Sequence, residues 1–284
     1  MPFTPAHVAA VIPLVRWTRV RAVLDPWALA VGAMVPDLPL FLPYLQDYTG
    51  WHTPAGVVTD DLVAVVVLLA VFQFGVRDPL TALLPPSLAG RAAALPGPAW
   101  RRFHAVVLGA VAGAATHVLW DSFTHDWGAV FWGWSWLSEA VVPGLPGFRV
   151  AQYVSSVLGL AATGWWLVRS LLAAPPGVLP DRLILPAAVR WSVLGGAVVA
   201  ACGAAAVWTL VDPPNPAFGW AGAVTKTGVG VIVGWCAVIT VYVVVWWLGR
   251  AMRLRRTAGS PRGPVDRRTE APDSPHHVPP RRRR

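Results

Sequence analysis

Apolar and polar positions along this chain fall into long blocks. They show neither the alternation of a half-buried strand nor the single apolar stripe of a soluble helix. Val150–Val168, Trp191–Val211 and Thr227–Gly249 contain no acidic or basic residue, and a bilayer-crossing helix needs about 20 such positions. Further apolar runs cover residues 26–45, Leu62–Gly75 and Val106–Trp120. The pattern predicts an all-α fold, a polytopic transmembrane helical bundle of about six spans. Residues 5–15 are apolar but too short to span; with Thr4 as N-cap and Pro5 at the first helical position they predict a short N-terminal half-helix. No basic segment precedes it, and Arg16, Arg19 and Arg21 follow it, which is not the layout of a removable signal peptide.

Composition supports the membrane assignment over two soluble domains, since the 284 residues are 55% hydrophobic and only 13% charged. The net charge of +9 is local, because residues 250–284 carry eleven arginines against Asp266, Glu270 and Asp273. The chain therefore divides into a transmembrane helical domain, 1–250, and an Arg/Pro-rich tail, 251–284, whose composition predicts disorder. Anionic lipid is the expected partner of that basic tail, and nucleic acid is disfavoured. With both termini on the cytoplasmic side, segments 1–25, 77–103, 169–190 and 250–284 hold 21 of the 23 basic residues, as the positive-inside rule requires. This predicts a multi-pass plasma-membrane protein with Trp51–His52 and the loop after His125 outside. Residues 77–103 read as a Pro/Gly/Arg-rich loop. Cys202 and Cys236 lie within spans and read as small core residues rather than a disulfide or metal pair.

The candidate chemistry begins at His117-Val-Leu-Trp-Asp121-Ser-Phe-Thr-His125. Steps of four place His117, Asp121 and His125 on one helix face, and an imidazole one turn from a carboxylate is a common metal-binding pair. On a continuous helix the two histidines stand about 12 Å apart, so they share one ion only if the helix ends near Asp121, and otherwise need two. Asp37, between Pro36 and Pro39, is the one ionisable residue of its apolar run, and a buried membrane carboxylate is a functional candidate by default. His52 opens the next span, with Asp60 and Asp61 two turns further in. If the half-helix 5–15 leads to a hinge near residue 20, His7 and Asp37 differ in depth by only about 6 Å. His7, Asp37, His52, His117 and Asp121 can then meet, whereas His104 belongs to the opposite face. The aromatic run Trp127–Trp136 reads as an interfacial anchor or as a lip admitting a lipid-like substrate.

These residues also carry a resemblance. Met1-Pro-Phe-Thr with His7, Gly32-Ala-Met-Val-Pro-Asp37, His52, Asp78-Pro79-Leu80 with Leu83-Leu-Pro85, the His117–His125 stretch and Gln152-Tyr-Val-Ser-Ser156 resemble the DUF4184 family of bacterial membrane proteins over roughly residues 1–250. That family is in turn distantly similar to YdjM-type membrane-bound metal-dependent hydrolases and to zinc-dependent phospholipase C. The resemblance implies that His7, Asp37, His52, and His117 with Asp121 bind metal. The chain departs from the hydrolases at His52, which Thr-Pro follows, and it lacks an additional His/Glu set for a three-zinc cluster.

Two functions of different class follow. The first is a metal-dependent hydrolase holding a divalent metal, zinc favoured, on His7, Asp37, His52, His117, Asp121 and His125, with Asp60, Asp61 or Asp121 as base or supporting group and a lipid or lipid-linked phosphoester as substrate. The second is a non-enzymatic membrane protein, an ion or proton carrier or a scaffold, in which the same His/Asp cluster forms a relay.

Overall fold

The computed structural model describes residues 2–42, 44–45, 47–211, 213–214 and 219–258. The part of the tail beyond Ala258 lies outside the described residues. By internal contacts the chain forms two units, residues 1–244 and 245–284. The first holds every candidate site residue.

The chain enters through a 3-10 turn, Thr4–His7, that runs into α1 (Val8–Arg16). Extended backbone at Trp17 (φ −82°, ψ 120°) breaks the helix before α2 (Thr18–Val23). A short N-terminal helix is thus present, starting at Val8 and breaking at Trp17 rather than near residue 20. Thr4 is not its N-cap, because the hydroxyl bonds to a distant carboxylate. Residues 26–45 do not form one spanning helix. They form α3 (Pro26–Gly32) and then a 3-10 turn, Val35–Leu40, because Pro36 and Pro39 each lack the amide an α-helix would use.

Asp47 adopts the left-handed conformation (φ 62°) and turns the chain into α4 (Tyr48–Trp51); its carboxylate accepts from the Gly50 amide at 3.0 Å. Thr53 caps α5 (Pro54–Val58), and α6 (Asp60–Val71) follows. Through a π-helical segment, Phe72–Val76, this helix continues into α7 (Arg77–Leu83). Part of the expected 77–103 loop is therefore helical, and α8 (Pro86–Ala94) adds to it, started by proline at its first position.

The remaining elements are α9 (Phe103–Asp121), α10 (Trp127–Trp132), a small antiparallel hairpin of β1 (Ala140–Val142) and β2 (Leu145–Pro146), and α11 (Gly147–Ala173). Then come α12 (Ala187–Val211) and α13 (Gly219–Ala258). The architecture is all-α apart from that hairpin. Five helical stretches are long and apolar enough to cross a membrane among the described residues: Pro54–Leu83, Trp100–Asp121, Gly147–Ala173, Ala187–Val211 and Gly222–Arg253. Cys202 and Cys236 are free thiols and both face outward from their helices, so the expected core position does not hold.

The contact between α3 and α9 positions the site. Gly32 and Gly113 sit where a Cβ would run into the backbone of the other helix, so the two helices touch main chain to main chain. The Asp25 amide donates to the Ala105 carbonyl at 2.9 Å. The Asp25 carboxylate, 1% exposed, accepts from the amides of Ala28 and Ala99, both at 2.9 Å, which caps α3 and ties it to the approach to α9. On α6, Asp61, Val65 and Leu69 are fully buried at a four-residue spacing, and Val65 and Leu69 pack with Ala28, Val106 and Ala110.

Candidate metal centre

Four elements converge beyond the α3–α9 contact. The 3-10 turn Thr4–His7 brings His7, the proline-broken turn Val35–Leu40 brings Asp37, the α4–α5 corner brings His52, and the last turn of α9 brings His117 and Asp121. His7, Asp37, His117 and Asp121 are at most 1% exposed.

The N-terminal turn engages one oxygen of each carboxylate. Asp37 Oδ2 accepts from the Thr4 hydroxyl at 2.7 Å. His7 Nε2 lies 3.1 Å from Asp121 Oδ1 and His7 Nδ1 lies 3.3 Å from the Thr4 carbonyl, so the ring tautomer decides which contact it donates, and the ring stacks on His117 with centroids 3.8 Å apart. The other oxygens, Asp37 Oδ1 and Asp121 Oδ2, turn toward the same two imidazoles. His117 Nε2 lies 3.5 Å from the first and 3.6 Å from the second. His52 Nε2 lies 3.8 Å and 3.7 Å from the same pair.

The opposite ring nitrogens fix the tautomers. His117 Nδ1 donates to the Ala33 carbonyl at 2.9 Å, and His52 Nδ1 donates to the Tyr48 carbonyl at 3.0 Å. In the neutral rings the proton is therefore on Nδ1 and the lone pair on Nε2. Both Nε2 atoms are buried without a hydrogen-bond partner. Two lone pairs facing two carboxylate oxygens repel unless a cation stands between them or the rings are protonated. A tetrahedral ion with ligands at 2.0–2.1 Å sets neighbouring donors about 3.3–3.4 Å apart. The four crossed distances are slightly wider than that, and imidazole and carboxylate donors suit such an ion, but Asp37 and Asp121 do not fall in one group of mutually close donors. Two triads have donor atoms within 4.8 Å of one another, His7–Asp37–His117 and His52–His117–Asp121.

Around them, Tyr48 donates to Asp37 Oδ1 at 3.3 Å. Burial, reinforced by the charges of Asp37 and Asp121, raises its hydroxyl well above the ordinary tyrosine value, which keeps it a donor. The α9 helix does end at Asp121, the condition under which His125 can turn back. His125 Nδ1 donates to the Asp121 carbonyl at 3.0 Å and lies 3.7 Å from Oδ1. His125 belongs to neither triad. Burial lowers its pKa against the pull of Asp121, which favours the neutral ring. Side-chain exposure is 21% at His125 and 14% at His52, so the cluster opens on their side.

Asp60 and Asp61 separate sharply. Asp60 is exposed and accepts from the Thr59 hydroxyl at 3.2 Å. Asp61 is fully buried, and neither of its oxygens has a hydrogen-bond partner. His104 is exposed at the opposite end of α9.

The sequence pattern did not reveal Thr4, Tyr48 and the Ala33 carbonyl as partners of the cluster. Hydroxyls and carbonyls carry no spacing signal of their own; the adjacency of Thr4 to Pro5 pointed to a cap instead.

The family model DUF4184, described as a domain of unknown function, matches residues 1–244. No curated protein and no solved structure matches the chain.

Proposed function

Because the chain belongs to the DUF4184 family, whose description names no activity, we propose a function from the His/Asp cluster itself: a membrane-embedded, metal-dependent hydrolase. The observation that carries it is the pair of orphaned, buried Nε2 atoms of His52 and His117 facing Asp37 Oδ1 and Asp121 Oδ2. These four atoms would hold one divalent ion, and two imidazole nitrogens with two carboxylate oxygens favour zinc. When bound, the ion supplies Lewis acidity and brings the pKa of a coordinated water to about 7.

The protein does the rest. Thr4 and His7 fix the carboxylates through their outer oxygens, and the carbonyls of Ala33 and Tyr48 fix the imidazole tautomers. Substrate approaches from the side of His52 and His125. Asp61 accepts the proton of the attacking water, while Asp60 faces away and takes no part. His125 orients Asp121 or contacts substrate at the rim.

The bond cleaved is a phosphoester or related bond on a lipid or lipid-linked molecule. The likeness of the motif order to the YdjM-type hydrolases and zinc-dependent phospholipase C supports hydrolysis. The exposed aromatics Trp127, Phe131, Trp134 and Trp136 beside the opening support a lipid substrate. Six membrane passages, counting residues 26–45 as a broken one, with both termini cytoplasmic in the plasma membrane, agree with the distribution of basic residues. An impermeant thiol reagent should then label Ser138→Cys in intact cells, and labelling only after permeabilisation would invert the orientation.

The activity is tested by stripping the purified protein with chelator, restoring zinc, and following release of p-nitrophenol from bis(p-nitrophenyl) phosphate and of headgroup from a fluorogenic phospholipid. Zinc should restore turnover in the wild type and not in Asp121→Asn. A zinc-loaded protein inert toward both substrates would speak against hydrolysis. The carrier function would then lead, favoured by the unpartnered buried Asp61, a natural relay group.

A further inference from the structure

Arginines at the end of the bundle around Trp17 and the start of α9 divide into two sets. One set is spent on the protein. Arg77 bonds to the Leu95 carbonyl and to Gln73, Arg91 to the carbonyls of Leu172 and Ala174, and Arg182 to Asp78. Arg102 donates to the Ala22 carbonyl at 3.0 Å, which joins the end of α2 to the start of α9. The other set, Arg16, Arg19, Arg21 and Arg101, is exposed and has no hydrogen bond, ion pair or ring contact among the described residues.

These four guanidiniums have no exposed carboxylate near them in the chain. Asp25 is the acid closest in sequence, and it is buried and occupied by the amides of Ala28 and Ala99. Exposed apolar side chains lie near them in the sequence instead: Trp17 is 63% exposed, Val23 51% and Phe103 50%. Ile12, Pro13, Arg16 and Trp17 line an open depression of about 420 Å³. No side chain caps the first amides of α9, so the positive end of that helix faces the same level.

Depth decides what such a surface binds. Arg101 and Arg102 lie at the very start of the Trp100–Asp121 candidate span, which sets them at the boundary between hydrocarbon and water. Arg102 fixes the α2 end at the same level. Cations at headgroup depth, beside tryptophan and phenylalanine at acyl depth, complement an anionic lipid: phosphate against arginine, chain against the aromatic wall. We infer that Arg16, Arg19, Arg21 and Arg101, with Trp17 and its depression, form a binding site for an anionic phospholipid. It is separate from the His/Asp cluster and independent of any metal there. It is also distinct from the basic tail.

The test uses full-length protein in a neutral detergent, titrated with phosphatidylglycerol or phosphatidylcholine and read by native mass spectrometry. Phosphatidylglycerol should bind about tenfold or more tightly than phosphatidylcholine, given about 1 kcal/mol for each arginine at a membrane surface. That preference should vanish when Arg16, Arg19, Arg21 and Arg101 are all changed to Gln. It should survive when all four become Lys, and when Arg250, Arg253 and Arg255 become Gln. If the fourfold Gln variant does not fold, Arg16→Gln and Arg101→Gln alone should each lower the preference about fivefold. A preference that persists without the four arginines, or disappears only with those of α13, would overturn the assignment. So would displacement of the lipid by millimolar inorganic phosphate, which would mark a free-anion site.

Discussion

His7 and Asp121 are separated by 114 positions in the chain and joined by a 3.1 Å hydrogen bond between two buried side chains. Through it the N-terminal turn closes over the last turn of α9. The oxygen that His7 does not use, Asp121 Oδ2, is the one facing His52 and His117. The proposed four-atom site uses His7 to position Asp121, although His7 also belongs to one of the two triads. His7→Gln, which can still donate to Asp121, should keep metal with an affinity lowered at most about tenfold. His7→Phe keeps the stacking but loses the bond and should fall about 10- to 100-fold, the usual cost of removing a group that orients a ligand. Competition against a zinc chelator measures both, and loss of metal from His7→Gln as complete as from His117→Ala would make His7 a ligand.

The α3–α9 contact yields a stability prediction. A side chain at Gly113 meets the backbone of α3, whereas Gly164 on α11 has nothing near its missing Cβ. Gly113→Val should destabilise by about 1–3 kcal/mol or prevent folding. Gly164→Ala should be neutral or stabilising by up to about 1 kcal/mol, since it replaces a poor helix former. Thermal unfolding in detergent distinguishes them, and equal effects would mean the helices do not touch main chain to main chain.

Asp61 and Asp25 are both fully buried aspartates with opposite circumstances. Asp25 accepts two backbone amides, and Asp61 has no hydrogen bond. Asp25→Ala leaves those amides unsatisfied and should cost about 1–3 kcal/mol. Asp61→Asn removes a buried, uncompensated carboxylate and should leave the melting temperature unchanged or higher while abolishing turnover. A large loss of stability from Asp61→Asn would make it a structural residue and remove it from the chemistry.

Much of this was legible in the sequence because the informative residues were out of character with their surroundings. Asp37 stood out as the one acid in an apolar run, between prolines that broke the helix and aimed it inward. His117 and Asp121 stood out by a four-residue step at the end of a long apolar helix. Asp60 and Asp61 could not be separated, because adjacent helical residues point about 100° apart and α6 is apolar all round, leaving no polar face to set its rotation. The cap made by Asp25 was hidden for a different reason. One of its partners, Ala99, is 74 positions away and contributes only a backbone amide, which every residue but proline possesses.

The central claim is that Asp37, His52, His117 and Asp121 hold one ion. It is tested most directly by metal analysis of detergent-purified protein, wild type beside His117→Ala, Asp37→Ala and His104→Ala. The account predicts close to one zinc per chain in the wild type and in His104→Ala, with loss in the other two. A metal-free wild type, or equal loss from His104→Ala and His117→Ala, would contradict it.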